Sequence, residues 1–398
     1  MIQTQVILKK GREKSVLNRH PWIFSGAIRR IEGDPQNGDV VDIWNSKGRF
    51  VARGIISLKS QIRVRILTWT VYQEHIDESF WYRRIERAID GRQALNDDPA
   101  TNAYRLVHAE ADGLPGLIVD RYGPWLVVQF LSVAVERYRS TIINALTEFT
   151  APQGIYERSD TNSRELEGLV PMTGPIWGEV PPDLIEIEEN GFRFLVDIKG
   201  GQKTGYYLDQ RENRQRLMPY LANKEVLNVF SFSGGFSVYA AAANAGRVIN
   251  IDSSEAAHGL AEQNMNLNGF RNREDLHIAA DAFEILRAYR DQKWTFDVVI
   301  LDPPKFAHNA RQIDQASRGY KDINLLGMKL LKPGGILATF SCSGVISQDL
   351  FQKILFGASV DAQRDVQILT YLHQGTDHPV LLTFPEAAYL KGFICRVL

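Results

Sequence analysis

The chain has 398 residues, 44% hydrophobic and 23% charged, with 46 Lys and Arg against 47 Asp and Glu, the balance of an ordinary folded protein of two or three domains. Two cysteines, Cys342 and Cys395, exclude a disulfide framework, no Cys/His cluster has zinc spacing, and no run approaches the ~18 apolar residues of a membrane span. MIQTQVILKKGREK lacks the apolar core of a secretory signal, so the expectation is a cytoplasmic protein with no membrane and no metal.

The net charge of −1 hides an asymmetry. Residues 1–70 hold 13 Lys and Arg against 5 Asp and Glu, a balance of +8, and the remainder carries 33 against 42. A basic segment joined to a more acidic body suggests a nucleic-acid-contacting module, with a solvated surface as the alternative. Short alternating runs at 5–8, 39–44, 49–56 and 62–68, separated by Gly-Asp-Pro and Ser-Lys-Gly turns, predict a small β-barrel. Lys9, Lys10, Arg12, Lys14, Arg19 and His20 cluster before Pro21-Trp22. These cations suit phosphate contact, and Trp22 suits either stacking on a base or, with Phe24, anchoring the barrel core.

From about 77 to 185 the pattern becomes mixed α/β. Residues 80–95 form an amphipathic helix, 117–120 and 125–131 paired strands, 137–149 a second helix and 154–158 a strand. The turn EADGLPG, residues 110–116, holds two carboxylates and reads as structural. Val180-Pro181-Pro182 and the acidic run 186–189 predict a linker. The expected division is 1–72, 73–188 and 189–398.

The last segment carries the chemistry. EVLNVFSFSGGFSVY, residues 225–239, reads as strand, glycine turn, helix, a geometry that brings backbone close to a nucleotide-like cofactor. Phe230, Ser231, Gly234 and Gly235 form that turn. A second strand, 247–251, ends at Asp252, 18 residues after Gly234, the spacing of an acidic residue that accepts from ribose hydroxyls. A full G-x-G-x-x-G is absent, which weighs against a nicotinamide oxidoreductase. FDVVIL, 296–301, stops at Asp302-Pro303-Pro304-Lys305, and GILATF, 335–340, stops at Ser341-Cys342-Ser343. In open α/β sheets ligands bind beyond such strand ends.

NVFSFSGGFS, the strand-terminal Asp252, DPPKF and FSCSG together resemble the ordered motifs of class I S-adenosylmethionine-dependent methyltransferases. GREKSVLNRHPWIFSGAI, AYRLVHAEADGLPGLIVDRYG, KTGYYLDQR, RGYKDIN and YLKGF extend the likeness nearly end to end. It is closest to the bacterial family that methylates carbon 5 of a cytosine in 23S ribosomal RNA. The resemblance implies an α/β multidomain fold: an N-terminal PUA-like β-barrel associated with RNA binding, a small α/β middle domain, and a C-terminal Rossmann-like catalytic domain with a mostly parallel seven-stranded sheet. It implies S-adenosyl-L-methionine as cofactor and 23S rRNA, free or in a large-subunit precursor, as partner, with a homodimer left open. Lys203 and Arg211, beside the cofactor in that family, suit the methionine carboxylate. The alternative for that stretch is that Asp209 caps the helix 210–221, and both can hold at once; Asp281 suits either the adenine or an N-cap.

Carbon 5 of cytosine is too weak a nucleophile to take a methyl group from a sulfonium unaided. A thiolate adding to carbon 6 gives carbon 5 enamine character. Cys342 is the strand-end candidate, whereas Cys395 sits in an apolar run. Asp302 would hydrogen-bond N3 and the exocyclic amine, and it also borders the cofactor. Pro303 and Pro304 stiffen the loop, and Lys305 either meets phosphate, supports the thiolate or is solvated. His308 to Tyr320, with Arg311, Arg318 and Tyr320, is expected as a polar loop suited to closing over the substrate, as a mobile surface loop, or as both. Many RNA cytosine-5 methyltransferases carry a second cysteine after the fourth strand; here that position reads DPPK. Asp-Pro-Pro followed by an aromatic residue is typical of enzymes methylating exocyclic amines, so N-methylation of an rRNA purine is the alternative. A non-catalytic ribosome assembly factor is a third reading.

Overall fold

Short runs rich in Val and Ile, bounded by turn residues, form the N-terminal strands. The computed structural model describes residues 4–70, 74–271 and 273–398. Six strands form a curled sheet: β1 (Gln5–Leu8), β2 (Trp22–Phe24), β3 (Ile28–Glu32), β4 (Val40–Trp44), β5 (Phe50–Ile56) and β6 (Ile62–Thr68). Their order is β2-β6-β5-β4-β1-β3, and β1 with β4 is its parallel pair. Val6, Leu8, Ile23, Val41, Ile43 and Val64 fill its centre. The expected anchors lie elsewhere. Phe24 is 49% exposed, and Trp22 is half-buried, its Nε1 donating to Glu110 Oε1 at 2.8 Å. β2 and β3 escape the sequence pattern because three residues, and the sequence IRRIE, carry little alternation.

Five further strands make the middle sheet: β7 (Ala103–His108), β8 (Leu117–Tyr122), β9 (Trp125–Phe130), β10 (Gly154–Ser159) and β11 (Met172–Gly178), ordered β11-β10-β9-β8-β7. The helix Glu78–Asp90 begins where Asp77 accepts from Phe80 N and buries Phe80, Trp81, Ile85 and Ala88. It stops before Gly91, so the expected helix over 80–95 is two pieces, the second being Gln93–Asn96. In the 110–116 turn Asp112 takes two hydrogen bonds from Arg92, at 2.8 and 2.9 Å. The boundary expected at 72/73 lies outside the described residues.

The acidic run predicted as a linker is a strand. β12 (Ile185–Glu189) forms a two-stranded sheet with β13 (Phe192–Val196), burying Ile185, Ile187 and Glu189 on one face. Glu189 is fully buried because Arg214 donates to both its oxygens, at 2.8 and 2.7 Å. That partner is invisible in the local sequence.

The C-terminal sheet has seven strands: β14 (Glu225–Val229), β15 (Arg247–Asp252), β16 (Leu276–Ala279), β17 (Phe296–Leu301), β18 (Leu331–Ser341), β19 (Val366–His373) and β20 (Lys391–Val397). The order is β16-β15-β14-β17-β18-β20-β19, with β20 antiparallel to both neighbours. Continuous apolar runs suit strands buried on both faces. Helices Gly235–Ala242, Glu255–Leu267, Ala282–Asp291, Ile313–Lys329 and Gln348–Ala362 complete the layers. The polar loop expected over 308–320 is mostly helix. Ala316, Tyr320, Ile323 and Gly327 recur at helical spacing on a buried face, and Tyr320 is fully buried.

By internal packing the chain divides into two units: Met1–Glu188 with Val196–Tyr206 and Asp377–Ala387, and Glu189–Leu195 with Tyr207–Thr376 and Ala388–Leu398. The first holds the N-terminal and middle sheets, the second the seven-stranded sheet.

Candidate active site

In the second unit the chain after β14 turns sharply. Phe230 has φ +62°, Phe232 φ +44° and Gly234 φ +76°. Two aromatic residues in the left-handed region are strained, a feature that concentrates at ligand sites. Glycine is required at 234 for two reasons, since a Cβ there would also lie 2.9 Å from that of Ala261. Asn264 Nδ2 donates to Ser233 O at 3.0 Å, and Asp252 Oδ2 accepts from Phe232 N at 2.9 Å. Helix 255–267 and the end of β15 thus hold the turn. Below it, Asn228, Ser237 and Asn250 form a buried hydrogen-bonded cluster that ties β14 to β15. Among the described residues the Ser231 and Ser233 hydroxyls are buried without a hydrogen-bond partner. A buried hydroxyl left so is costly unless a ligand satisfies it. Asp252 Oδ1 accepts from the nearby Ser254 N at 3.0 Å, and a carboxylate with one backbone donor on each oxygen keeps lone pairs for hydroxyl donors. This donor set fits a nucleoside with a neighbouring polar chain.

Asp302 follows β17 and Cys342 follows β18, strands that pair in parallel with Leu301 opposite Thr339. The Cys342 sulfur is 4.0 Å from Pro303 O, and Cys342 is half-buried. The two expected catalytic residues therefore share one sheet end. Asp302 Oδ2 accepts from Gln210 Nε2 at 3.0 Å; Asn213 Nδ2 donates to Gln210 Oε1 at 2.6 Å and to His373 O at 2.9 Å. This chain of amides orients the carboxylate. Pro303 is buried, whereas Pro304 and Lys305 are exposed. Phe306 packs on Tyr320 with ring centroids 4.6 Å apart. Tyr320 Oη lies 3.0 Å from Ser343 Oγ, anchoring the turn after Cys342.

Sequence reasoning misses several residues of this site. Tyr207 sits among acids: burial pushes its phenol well above the ordinary value, and the charges of Asp302, Cys342, Asp209 and Asp252 push the same way. Its motif, KTGYYLDQR, is visible in the chain but its electrostatics are not. Gln210 lies in the same motif. Asp209 does not cap the following helix Arg211–Leu217, whose N-cap is Gln210; it accepts from Tyr389 Oη at 2.6 Å. Asp281 is exposed and caps the helix Ala282–Asp291 by accepting from Glu284 N at 3.0 Å. Arg211 is buried, with its guanidinium 3.7 Å from Glu212. Lys203, exposed at φ +53°, belongs to the first unit.

In the first unit Lys9, Lys10, Arg12, Lys14 and Arg19 are all exposed, and Lys9 Nζ donates to Gly26 O at 2.9 Å. A cavity of about 660 Å³ is lined by Arg19, Trp69, Arg84, Arg87 and Glu110 among others. Arg84 and Arg87, three residues apart on helix 78–90, have no carboxylate within 4 Å among the described residues. Burial, and then the charge of Arg87, lowers the Arg84 pKa. Neither arginine stands out in the sequence, because both read as the solvated face of a helix.

Parallel strands ending in a strained nucleotide turn, Asp252, Asp302 and a strand-end cysteine define an S-adenosylmethionine-dependent methyltransferase of the Rossmann-like class. Residues 173–394 match the family described as S-adenosylmethionine-dependent methyltransferase, and residues 6–69 match a PUA-like domain. A protein named ribosomal RNA large subunit methyltransferase I from Citrobacter koseri is 48% identical over 398 residues, all of both chains. A protein of the same name from Escherichia coli is 47% identical over 397 residues, again the full length of both. The chain belongs to the ribosomal RNA large subunit methyltransferase I family, and its cofactor is S-adenosylmethionine. The same fold is seen in SMU.776 complexed with SAH, described as a methyltransferase, with TM-score 0.87, 22% identity and coverage of 99% of this chain and 100% of that one. A Streptococcus mutans protein described as a SAM-dependent methyltransferase has TM-score 0.86 and 21% identity, covering 99% and 100%.

Among the described residues no helix is long and apolar enough to cross a membrane, and no group of three or more His, Cys, Asp or Glu is placed to hold a metal.

Proposed function

We propose that the protein methylates carbon 5 of a cytosine in 23S ribosomal RNA through a covalent bond between Cys342 and carbon 6. The observation that carries this reading is the half-buried Cys342 sulfur 4.0 Å from Pro303 O, on the strand end next to Asp302. The names of the full-length relatives support the substrate class.

The Cys342 thiolate forms a bond to carbon 6, and the electrons of the carbon 5–carbon 6 double bond become available at carbon 5. Asp302, oriented by Gln210, hydrogen-bonds the N3 and amine edge and supports protonation of N3 as the adduct forms. S-adenosylmethionine, when bound, supplies the electrophilic methyl group. Ser231, Ser233 and Asp252 hold it, with Phe230, Gly234 and Gly235 shaping the turn and Arg211 and Asp281 at its margins; Lys203 joins this set on the family likeness alone. Once the carbon 5 proton passes to a base, the carbon 5–carbon 6 double bond reforms and the Cys342 sulfur leaves with its electron pair. Access to both carbon 5 and carbon 6 requires the base to be unpaired or flipped out of its helix. The segment 1–72, through Lys9, Lys10, Arg12, Lys14 and Arg19, docks the RNA, residues 73–188 form the middle domain, and 189–398 perform transfer.

Methylation of an exocyclic amine is disfavoured by two placements. Lys305 stands where such enzymes have a stacking aromatic residue, and Phe306 is committed to Tyr320. The test uses a strain lacking the protein, complemented with wild type or Cys342→Ala, followed by nucleoside mass spectrometry and bisulfite mapping of 23S rRNA. One 5-methylcytosine is expected to vanish and to return with wild type alone. Full restoration by Cys342→Ala, or loss of an N-methylated purine instead, overturns the mechanism.

A further inference from the structure

β20 opens with Lys391, which lies directly opposite Ser341, the residue before Cys342. Lys391 is 4% exposed, in a stretch (KGFICRVL) otherwise made largely of core residues. Its Nζ donates to Ser343 O at 2.7 Å and to Ile346 O at 2.6 Å, so it holds the turn that follows the cysteine. Among the described residues it has no carboxylate within 4 Å. Burying an ammonium on two carbonyl oxygens alone is unfavourable. Burial lowers its pKa to about 8; the charge of Cys342 opposes that shift, and that of Lys305 adds to it. Tyr320 and Tyr207 also feel the Cys342 charge, but each is a neutral phenol raised by burial and contributes no cation.

We propose that Lys391 is a positioning residue for the reaction: its ammonium fixes the Cys342–Ser343 turn and stabilises negative charge on the Cys342 sulfur. The same charge serves twice, on the attacking thiolate and on the sulfur as it leaves. This rests on Cys342 being the nucleophile. A lysine that merely braced the turn would be replaceable by a neutral donor, since glutamine also offers two N–H groups.

The experiment is alkylation of the full-length protein by iodoacetamide as a function of pH, with peptide mass mapping to follow Cys342. Cys395 serves as the unreactive control, because burial pushes its thiol up to about 12. Lys391→Gln is expected to raise the Cys342 midpoint by about one unit and to slow its alkylation at pH 7 about tenfold. Lys391→Arg is expected to return part of the rate. Lys391→Gln is expected to lower kcat with KM for RNA unchanged. A folded Lys391→Gln protein whose Cys342 profile superimposes on wild type overturns the proposal. Should Lys391→Gln fail to fold, Cys342→Ala carries the reciprocal test by nitrogen-detected NMR of lysine. Linkage requires Lys391 to titrate lower there than in wild type, and identical titration overturns the proposal. The two readings separate cleanly. A shifted profile with an active Cys342→Ala protein removes only the nucleophile assignment; an inactive Cys342→Ala with an unshifted profile removes only the lysine.

Discussion

In the first unit Asp120 is wholly buried and takes two hydrogen bonds from Arg105, at 2.8 and 2.9 Å, and Asp42 and Arg53 pair in the same way. At the sheet end of the second unit, Asp302, Cys342, Asp209 and Asp252 instead gather around Tyr207, and Lys391 is a buried cation beside the cysteine. The first arrangement neutralises charge within the fold and serves stability. The second gathers acidic groups and a buried ammonium where a ligand and a reaction will draw on them. Glu189 and Arg214 show that the difference is not one of unit but of place, because this pair in the second unit is as fully matched as any in the first.

Breaking a matched pair should do the most damage, and to stability. Arg105→Ala leaves the Asp120 carboxylate buried without its fork and is expected to cost about 3–5 kcal/mol in urea unfolding. Methyl transfer per folded molecule should stay near wild type. Loss of activity at equal folded fraction would mean that the pair belongs to the reaction rather than to the fold.

Asp302→Asn reverses the pattern. It is expected to lower kcat about 100-fold, measured by single-turnover methylation of RNA, with little change in the urea midpoint. A large stability change with modest kinetic loss would make Asp302 a structural carboxylate like Asp120.

Which parts of this contrast are legible in the sequence depends on where each partner lies. FDVVIL reads as a strand over 296–301 and β17 spans those residues, because a buried parallel strand is one continuous apolar run closed by Asp-Pro-Pro. The Cys342 and Asp302 strand ends are visible for the same reason. Glu189 reads as linker because its partner Arg214 is 25 residues on. The helix 313–329 is hidden by its polar face, although Tyr320, Ile323 and Gly327 already carry the period. Lys391 escapes because its burial is created by a strand pairing across 50 residues of chain.

Acid should separate the two kinds of burial within the first unit, because burial disfavours the charged form of a histidine, whereas Asp120 holds its charge against the Arg105 fork. Burial, then Arg105 and His378, hold His108 well below its ordinary pKa. The folded protein therefore resists a proton that the unfolded chain accepts near pH 6.5. Unfolded molecules bind more protons as pH falls from that value toward the depressed folded pKa, so stability should drop across this window. His108→Gln is expected to flatten that limb in unfolding curves taken from pH 7 downward. An unchanged limb would place the acid sensitivity in other groups.

The mildest change is expected where two cations of the first unit share one helix face. Arg84 and Arg87 share a face of helix 78–90, repel each other and lack a carboxylate within 4 Å among the described residues. Like-charged guanidiniums lining a cavity suit the phosphates of RNA, while each also donates one hydrogen bond within the fold, Arg84 to Leu67 O at 2.9 Å and Arg87 to Asp112 O at 3.1 Å. Replacing both with alanine should weaken RNA binding uniformly across sequences and reduce the slope of log affinity against log salt by about one for each phosphate no longer neutralised. The kcat at saturating RNA should not change, since neither residue lies in the catalytic unit. An unaltered salt slope would assign the pair to packing against the Gly113 turn, where a Cβ would lie 2.3 Å from Arg84 Nη1.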